Sequence, residues 1–496
     1  MNREETFARL DSREEWDLLV IGGGATGLGI CLDAASRGYS TLLVEQSDFA
    51  KGTSSRSTKL IHGGVRYLEQ GNITLVADAL KERGRLVKNA PELVKPLQIL
   101  IPLYHWWQVP YFGTGLKIYD HLSGRFSLGR SRVMGKEKTL REIPALKSDK
   151  LSGGVMFYDG QFDDSALATS LAIHSVREGA AVLNYTRCTS LIKEDGKVRG
   201  GEVEDVLTGK RYQVRSRAVI NAAGVFGDEV RKMDNPDTPD MIVPSQGAHI
   251  VVDRKFMPGD KAMLIPRTDD GRLLFAIPWK GKLLAGTTDI EVDKIELEPR
   301  PLEEEIDFIL AHLGRVLKEA PARSDVLSVF AGLRPLLKSG KGTGTASLSR
   351  DHTVKIDDSG LVSTMGGKWT SYRKMAEDTV DKTVKAHGLP AREVKTLEYR
   401  LDAPASMEAG GNPVESLHSS YPVTREQVVE AVRNEMACTV EDFLSRRIRL
   451  LLLDARAAVE TAPAVARIMA EEMGRDQAWV DSQVEEFNDL AEGYLP

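Results

Sequence analysis

A glycine-rich turn near the start of the chain has the residue types and the spacing to hold a dinucleotide. Gly22, Gly24 and Gly27 occupy the glycine positions of a G-x-G-x-x-G turn, and Glu45 follows about 20 residues later. Gly22 permits a tight turn, Gly24 lets the backbone approach a pyrophosphate, and Gly27 lets a helix pack on a strand. Glu45 can accept hydrogen bonds from a ribose diol. The turn therefore predicts a dinucleotide site, although it does not choose between FAD and NAD.

The elements that must position this turn are visible on either side of it. Residues 18–21 are an apolar run of strand length, residues 26–37 have helical character, and Gly38 is placed to end that helix. A second apolar strand covers residues 41–44. The start of the helix offers free N–H groups and a partial positive charge to phosphates. We therefore predict a βαβ unit around the turn.

A polar stretch directly after this unit could hold the middle of a long cofactor. Residues 51–67 read KGTSSRSTKLIHGGVRY, which is rich in Ser, Thr and Gly with basic residues interleaved. The hydroxyl and backbone N–H groups of this stretch could bind a pyrophosphate and the edge of a flavin. The alternative is a solvated polar loop, but an inert loop rarely ends in an apolar-flanked His-Gly-Gly-x-Arg-Tyr.

Two later glycine turns predict that the nucleotide-binding domain is discontinuous in sequence. Residues 218–222 are an apolar strand that ends in Ala223 and Gly224, and a helix follows from about Phe226. Gly366 and Gly367 precede a further helix, whose first N–H groups could face an anion or an electron-rich ring. We expect both turns to return to the cofactor of the first turn.

The remaining sequence predicts two further regions. Residues 243–348 contain short alternating strands and one helix at 303–317, a pattern typical of a mainly antiparallel sheet with a helix packed on it. Residues 387–412 are rich in Pro and Gly and look like a linker. Beyond about residue 423 the chain is helical and acidic, which predicts a separate helical domain.

Composition excludes several classes of protein. The chain has 496 residues, 42% hydrophobic and 28% charged, which is ordinary for a soluble protein. We expect no transmembrane helix and no signal peptide, because no apolar run reaches the ~18 residues needed and the N-terminus is polar. Zinc spacings, Walker motifs and nucleic-acid signatures are absent from the sequence, so we expect no metal site and no nucleic-acid partner. Cys31, Cys188 and Cys438 are expected as buried thiols in a reducing cytoplasm.

Charge is distributed unevenly along the chain. Residues 401–496 carry 8 Arg, no Lys and 18 Asp or Glu, a net charge of −10, whereas the rest carries 58 basic and 54 acidic residues, a net charge of +4. A mildly basic body is compatible with an anionic substrate or an anionic membrane surface.

An aromatic cluster in a Pro-punctuated segment has two competing interpretations. Trp106, Trp107, Tyr111 and Phe112 crowd together in a segment that cannot be one long helix. They could belong to the core or to an oligomer interface. They could also form a surface that dips into a lipid interface, which the nearby basic residues favour somewhat.

A set of seven motifs occurs along the chain in the order IGGGATG, TSSRSTKLIHGGVRYLE, INAAGVFGD, GAHIVV, GTTD, AGLRPL and GGKWTSYR. Together they resemble the FAD-dependent glycerol-3-phosphate dehydrogenases, which belong to the D-amino-acid-oxidase-like flavoproteins. The resemblance is close over residues 15–386 and looser over 387–496. It implies an α/β fold with a Rossmann-like FAD-binding domain (1–75, 150–240 and 345–390), an antiparallel α+β substrate-binding cap domain (76–149 and 241–344) and a C-terminal all-α domain (400–496).

The resemblance also implies a reaction and its partners. FAD would oxidise sn-glycerol 3-phosphate to dihydroxyacetone phosphate, and the electrons would pass to a membrane quinone. The enzyme would be peripheral to membrane lipid, on the cytoplasmic face of the inner membrane, and could form a homodimer. No calcium-binding loop of the D-x-[DN]-x-[DN]-G type is visible in the C-terminal part, so the calcium-regulated mitochondrial form is not expected.

Carried over motif by motif, the resemblance assigns residues to the cofactor. The loop at Arg56 and Thr58 departs from the expected smaller residues, so flavin contacts there are left open. The predicted cofactor-binding residues are Gly22, Gly24, Ala25, Thr26, Gly27, Glu45, Gln46, Thr53, Ser54, Ser55, Ser57, Lys59, His62, Gly63, Gly64, Cys188, Ala223, Gly224, Gly366, Gly367, Lys368, Trp369 and Thr370.

Oxidation of a secondary alcohol needs a base for the hydroxyl proton and an acceptor for the hydride. His249 is the candidate base or orienting group, with His62 as its rival. Arg66 and Arg334 are candidates for the phosphate or the developing alkoxide, because an Arg fork binds phosphate bidentately. The predicted catalytic residues are His249, Arg334, Arg66 and Lys368. The same four residues, together with Arg373, are expected to bind substrate. Glu69 and Asp289 are possible site carboxylates.

Other functions of the same fold stay open at this point. An oxygen-using glycerol-3-phosphate oxidase is one, although the substrate domain shows no large insertion of the kind associated with oxidases. An amine or amino-acid oxidase is another, although several cations with few aromatics around the site favour a phosphate. A flavin-binding scaffold without catalysis is a remote third.

Overall fold

Apolar segments form strands and amphipathic segments form helices largely where the sequence predicts them. The computed structural model describes residues 1–69, 71–338, 352–408 and 416–496. Its strands are β1 Trp16–Ile21, β2 Thr41–Val44, β3 Leu60–Ile61, β4 Val94–Leu103, β5 Arg132–Gly135, β6 Gly153–Phe162, β7 Ala181–Leu183, β8 Thr186–Glu194, β9 Lys197–Asp205, β10 Arg211–Asn221, β11 Ile242–Asp253, β12 Ala262–Ile265, β13 Leu274–Trp279, β14 Lys282–Gly286, β15 Ile290–Glu291, β16 Val326–Leu337, β17 Thr353–Ile356 and β18 Val362–Met365.

The helices follow the amphipathic stretches between these strands. They are α1 Arg3–Ser12, α2 Ala25–Ser36, α3 Val65–Glu69, α4 Ile73–Asn89, α5 Gln108–Ser123, α6 Lys136–Glu142, α7 Asp164–Arg177, α8 Gly227–Asp234, α9 Glu303–Val316, α10 Tyr372–Ala386, α11 Ala405–Glu408, α12 Arg425–Glu435, α13 Leu450–Leu453, α14 Ala455–Met473 and α15 Gln477–Glu492.

The smaller sheet brings the three glycine turns to one edge. Its strands lie in the order β17-β18-β10-β1-β2-β7, and β18, β10, β1, β2 and β7 run parallel. Because parallel strands end at the same edge, the turns that follow β1, β10 and β18 meet there. The predicted βαβ unit and the discontinuity of this sheet in sequence are confirmed.

Close packing explains two glycines of the first turn. A Cβ on Gly27 would lie 1.8 Å from the carbonyl oxygen of Gly22, so only glycine lets α2 start this close to β1. Gly22 itself has φ of +113°, which favours glycine. α2 then packs with α7 and α10 on an apolar core beside the sheet.

The larger sheet is mostly antiparallel, as predicted for the substrate region. Its strands lie in the order β15-β11-β14-β13-β12-β4-β6-β3, with β16 on β11 and β5 on β6. α9 packs on the sheet through an apolar core. β3 and β6 pair in this sheet although they lie in ranges assigned to the FAD-binding domain, and the domain boundaries stay a prediction.

The C-terminal helices form their own apolar core, which also contacts the larger sheet. Leu450–Leu453 is buried in that core, as predicted, together with Phe443 and Phe487. Phe330 of β16 and Trp279 of β13 belong to the same cluster. The helices are therefore packed directly against the substrate region. The described elements confirm the predicted α/β class with a Rossmann-like region, an antiparallel region and a helical C-terminal region.

The aromatic cluster lies on the surface at the start of α5. Trp106, Trp107 and Tyr111 are 79%, 52% and 53% exposed, whereas Phe112 is half-buried against the core. The core interpretation is therefore wrong for the three exposed rings, which form what we call the aromatic patch. Across the described ranges, no helix has both the length and the apolar character to cross a membrane.

Candidate active site

A cavity of about 950 Å³ runs between the two sheets. At one end it is lined by the glycine turns at the carboxyl edge of the smaller sheet. At the other end it is lined by side chains of β11, β13 and β16 in the larger sheet. Such a crevice at the carboxyl ends of parallel strands is the usual ligand site of this kind of sheet.

Glu45 closes the first turn as well as lining the cavity. Its Oε2 accepts a hydrogen bond from Gly23 N at 2.6 Å, and its Oε1 accepts one from Ser47 N at 2.9 Å. Burial raises the pKa of Glu45, and the two backbone donors oppose that rise. Next to it, Ala25 N donates to Ser54 Oγ at 2.9 Å. The polar stretch therefore bonds directly to the start of α2.

Most of the predicted cofactor residues do line this cavity, and four do not. Those that line it are Gly22, Gly24, Ala25, Thr26, Glu45, Gln46, Thr53, Ser54, Ser57, His62, Gly64, Cys188, Ala223, Gly224, Gly366, Gly367, Lys368, Trp369 and Thr370. Gly27 lies behind the turn and permits its packing. Gly63 is buried and its N–H donates to Tyr119 Oη at 2.8 Å. Ser55 and Lys59 point away from the cavity.

Lys59 was predicted at the flavin and is instead a fully buried ion pair. Its Nζ donates to Asp164 Oδ2 at 2.7 Å and to the carbonyl oxygen of Ser55 at 2.8 Å. Burial lowers the pKa of Lys59 to about 7, against the raising effect of Asp164. Because its ammonium already has these partners and does not line the cavity, Lys59 can act on the cofactor only indirectly, through Ser55 or through Asp164, which also accepts from Ser57.

At the other end of the cavity, two guanidinium groups share one carboxylate. Arg272 Nη1 donates to Asp289 Oδ2, with an N–O distance of 2.5 Å, and to the Asp289 carbonyl oxygen at 2.6 Å. Arg334 Nη1 lies 3.5 Å from Asp289 Oδ1. Arg334 is held further by Thr287 Oγ1 at 2.9 Å and by the Thr288 carbonyl oxygen at 3.0 Å. Asp270 Oδ2 also lies 3.7 Å from Arg272 Nε, and both guanidinium groups line the cavity, where their N–H groups suit an anion.

His249 lies in the same end of the cavity and is almost fully buried. Its Nε2 is 2.9 Å from Thr58 Oγ1, and its ring stacks on Phe330 with a centroid distance of 4.9 Å. A Cβ at Gly286 would lie 2.3 Å from His249 Cδ2, so glycine makes room for the ring. Burial, together with the charges of Lys59 and Arg334, holds the pKa of His249 well below its ordinary value. The ring is neutral at pH 7 and can accept a proton.

The remaining candidates divide between the cavity and other places. Lys368 lines the cavity and its Nζ lies 3.9 Å from the ring centroid of Tyr67. His62 lines it too, next to Thr370, whose Oγ1 accepts from His62 N at 3.2 Å. The side chains of Arg66 and Glu69 lie outside what the structure describes.

Arg373 is not at the cavity, which corrects its prediction as a substrate ligand. It is the second residue of α10 and its Nε and Nη2 donate to the two oxygens of Glu82 in α4 at 2.7 and 2.9 Å. Its Nη1 donates to Glu377 at 2.5 Å. Arg373 therefore ties two helices together.

Sequence reasoning missed several residues at the site. Arg272, Thr287 and Tyr67 line the cavity without having been assigned a role, and so do Arg187 and Thr189 at the nucleotide end. Thr287 and Tyr67 lie inside quoted motifs and could have been found there. Arg272 follows an Asp-Gly turn and carries no local signal, because its importance comes from its pairing with Asp289, in the loop between β14 and β15.

The site defines an oxidoreductase that binds an extended dinucleotide. The three glycine turns and the helix starts fit the phosphates, and the cavity continues past them toward a histidine and two arginines. A shorter nucleotide would leave the end beside the larger sheet unused.

Comparisons with known proteins identify the family. The family described as "FAD dependent oxidoreductase" matches residues 17–373, and the "C-terminal domain of alpha-glycerophosphate oxidase" matches residues 346–480. The mitochondrial glycerol-3-phosphate dehydrogenase of Bos taurus is 40% identical over 550 residues, covering 100% of this chain and 75% of that protein. The corresponding protein of Schizosaccharomyces pombe is 35% identical, covering 99% of this chain and 89% of that protein. The chain belongs to the FAD-dependent oxidoreductases and, within them, to the glycerol-3-phosphate dehydrogenases.

Solved structures agree with this assignment. The glycerol-3-phosphate dehydrogenase of Bacillus halodurans, complexed with FAD, has a TM-score of 0.80 and 31% identity, covering 100% of this chain and 98% of that one. Two further structures share the fold alone. L-alpha-glycerophosphate oxidase of Mycoplasma pneumoniae has a TM-score of 0.62 and 17% identity, covering 79% of this chain and 100% of that one. Glycine oxidase of Geobacillus kaustophilus has a TM-score of 0.57 and 16% identity, covering 78% of this chain and 99% of that one. The predicted family and the predicted cofactor, FAD, are confirmed.

Proposed function

We propose that the chain oxidises sn-glycerol 3-phosphate to dihydroxyacetone phosphate and that the electrons pass from FAD to a membrane quinone. The observation that carries the proposal is the pairing of a neutral buried histidine with the guanidinium groups of Arg272 and Arg334, which we call the cationic corner, in the cavity that begins at the cofactor turns. When bound, FAD supplies the acceptor for the hydride. The other requirements of the reaction are a phosphate site, a base and the exclusion of water.

The cationic corner supplies the phosphate site. Arg334 of β16 and Arg272, in the loop before β13, are both held by Asp289. Two guanidinium forks can bind a phosphate in a fixed orientation. Lys368, which also lines the cavity, adds a further cation. We assign Arg334 and Arg272 to the phosphate and Lys368 to the negative charge that develops during oxidation.

His249 is assigned as the base. We propose that Nε2, which is 2.9 Å from Thr58 Oγ1, is the basic atom, and that the hydroxyl proton of the substrate reaches it through the Thr58 hydroxyl, which lines the cavity. Nδ1 is buried and makes no hydrogen bond within the described residues, so a substrate does not reach it in this conformation. The stacked ring of Phe330 and the close backbone at Gly286 fix the ring plane.

A visible spectrum under anaerobic conditions tests the reaction. Glycerol 3-phosphate should bleach the flavin absorbance, whereas glycine and D-alanine should leave it unchanged. Bleaching by an amino acid instead would establish the amino-acid oxidase of the same fold. A quinone should then restore the absorbance faster than dissolved oxygen does, and the opposite order would identify an oxidase.

We propose that the aromatic patch places the enzyme on the cytoplasmic surface of a membrane. Trp106, Trp107 and Tyr111 are exposed, and the chain continues through α5 to a basic stretch at 125–141, whose exposed cations are Arg125, Arg130, Arg132, Lys136, Lys138 and Arg141. Rings of this kind favour the lipid interface, and basic side chains favour anionic headgroups. Electrons can then reach a quinone without a transmembrane segment in the described ranges.

Vesicle sedimentation tests this placement. A variant with Trp106→Ser and Trp107→Ser should lose binding to anionic vesicles, whereas Leu207→Ser, at a 47% exposed leucine on another surface, should retain it. Equal binding by both variants would exclude the patch. If the double variant instead lowers the mass of the protein in solution, the patch is a homodimer interface.

A further inference from the structure

The loop after β2 connects the cofactor cavity with the C-terminal helices. We call residues 45–59 the cofactor loop. Lys51, Thr53 and Ser54 of this loop line the cavity. Ser54 also bonds the start of α2 through its Oγ and the indole of Trp369 through its carbonyl oxygen, at 2.9 and 2.8 Å. One side of the loop therefore faces FAD.

The other side of the loop is held by arginines from the C-terminal helices. Asp48, which is fully buried, accepts hydrogen bonds from Arg446 Nε at 2.6 Å and from Arg447 Nη1 and Nη2 at 2.8 and 3.0 Å. Burial alone would raise the pKa of Asp48, but the two arginines hold it at about 2. The carboxylate therefore stays ionised at every physiological pH.

Arg449 makes the contact closest to the cavity-lining turn. Its side chain is 0% exposed, its Nη2 donates to the Ser55 carbonyl oxygen at 2.5 Å, and the same nitrogen lies 3.1 Å from Asp164 Oδ1. Lys59 donates to the same carbonyl oxygen and to the same carboxylate. Two cations therefore fix the orientation of the Ser55 peptide, directly after Ser54.

A fourth link joins a cavity-lining side chain to the same helices. Lys51 Nζ lies 2.5 Å from Glu441 Oε1 and 2.8 Å from Glu298 Oε1. Glu441 in turn accepts from Arg446 Nη1 at 2.5 Å. The cofactor loop is thus held by charges at residues 48, 51 and 55.

The backbone geometry of the C-terminal helices and the energetics of buried ion pairs both indicate that these contacts hold the cofactor loop in one position. Residues Asp442–Arg447 form a π-helical turn, an uncommon geometry that occurs frequently at functional sites. The turn presents Arg446 and Arg447 to one carboxylate. Buried ion pairs add little stability, because apolar residues of similar size often stabilise a protein as well. An ion pair does, however, hold its two groups in a defined orientation.

We propose that the C-terminal helical region is a clamp on the cofactor loop, and that Arg449 is a positioning residue for FAD. It acts through the Ser55 peptide and does not touch the cofactor. The proposal rests on FAD binding and is independent of the substrate. It gives the C-terminal helices a role in holding the cofactor.

The affinity of the full-length apoprotein for FAD tests the clamp, measured by quenching of flavin fluorescence. Arg449→Gln should raise the Kd for FAD by about ten- to a hundred-fold, because it removes charge-assisted hydrogen bonds that orient the loop. Arg449→Lys, which keeps the charge, should fall between this variant and the unmodified protein. With FAD at saturation, the KM for glycerol 3-phosphate should stay unchanged, since Arg449 does not line the cavity.

Arg37→Gln is the matched control. Arg37 is also buried and paired with two carboxylates, Asp33 at 2.6 Å and Asp381 at 2.5 Å, but it lies at the far end of α2. Both variants should lower the thermal midpoint, whereas only Arg449→Gln should weaken FAD binding. Equal Kd values for the two variants would overturn the clamp.

A milder variant covers the case in which Arg449→Gln does not fold. Glu441→Gln removes the partner of Lys51 on the C-terminal helices and leaves Glu298 in place. It should raise the Kd for FAD by several-fold, and an unchanged Kd would refute the clamp. Failure of the unmodified protein to oxidise glycerol 3-phosphate would count against the proposed reaction and not against the clamp.

Discussion

Replacing Arg334 by methionine removes one guanidinium from the cationic corner and keeps the length of the side chain. The carboxylate of Asp289 retains Arg272 at 2.5 Å, so no buried charge is left without a partner. Arg334 loses hydrogen bonds to Gln246, Thr287 and Thr288. At about 1 kcal/mol each, their loss costs roughly 3 kcal/mol of unfolding free energy, which a protein of this size can tolerate. We therefore expect a folded, yellow protein.

The catalytic effect should be much larger than the structural one. A guanidinium fork on a phosphate makes two charge-assisted hydrogen bonds, each contributing about 1.5–3 kcal/mol. Their loss should lower kcat/KM for glycerol 3-phosphate by about 10²–10⁴-fold. Arg334→Lys keeps the charge and loses the fork, so it should recover part of this loss.

The assay compares glycerol 3-phosphate with glycerol, which lacks the phosphate, in steady-state turnover and in anaerobic flavin reduction. Arg334→Met should affect only the phosphorylated substrate. Arg315→Met, at an exposed arginine that is paired with Asp269 and does not line the cavity, should affect neither. An equal loss with both substrates would show that Arg334 orients the site in general, and unchanged kinetics would remove it from the site.

The other predictions concern the base, the helix pair and the first turn. His249→Asn should slow flavin reduction in single turnover by about 10²–10⁴-fold, and a slowing of re-oxidation alone would contradict its role as base. The pKa of His249 in the folded protein lies below the 6.5 of a free histidine, so the unfolded chain takes up the proton first as the pH falls. The free energy of unfolding should therefore decrease below pH 6.5, by up to about 1.4 kcal/mol per pH unit. Urea titrations of His249→Asn should show a shallower decrease. Arg373→Met should lower the urea midpoint, because it removes two hydrogen bonds to Glu82, which keeps its pair with Arg85, and it should leave the KM unchanged; a raised KM would return Arg373 to the site. Gly27→Ala, whose Cβ would lie 1.8 Å from the Gly22 carbonyl oxygen, should be purified without FAD, and full flavin content would show that the turn can relax.

The cofactor end of the site was predictable because its signals are local. Strand, glycines, helix and acidic residue follow one another between residues 16 and 45, and the parallel order of β1, β10 and β18 then brings the later turns to the same edge. Arg334 was predicted because it lies in the quoted motif AGLRPL and an Arg fork suits a phosphate. These arguments need no knowledge of distant partners.

The residues that were misplaced depend on partners far away in sequence. In the cofactor loop, Lys59 and Ser57 look equally polar, and Lys59 turns inward because Asp164 of α7 accepts a hydrogen bond from its Nζ. Arg373 differs from Lys368 by a few positions, yet it is already inside α10, where each residue rotates the side chain by about 100°. Arg272 is held at the site by Asp289, which comes later in the chain, after β13 and β14.

The clamp also constrains how the enzyme can be made in a cell. The nascent chain presents Gly22 early, but β18 and the arginines at 446–449 emerge several hundred residues later. At ~5–20 residues per second, the ribosome needs on the order of tens of seconds to supply them. During that interval β10 lacks its neighbour β18, and the cofactor loop lacks its anchors. We therefore expect FAD to be held firmly only after these segments have been made.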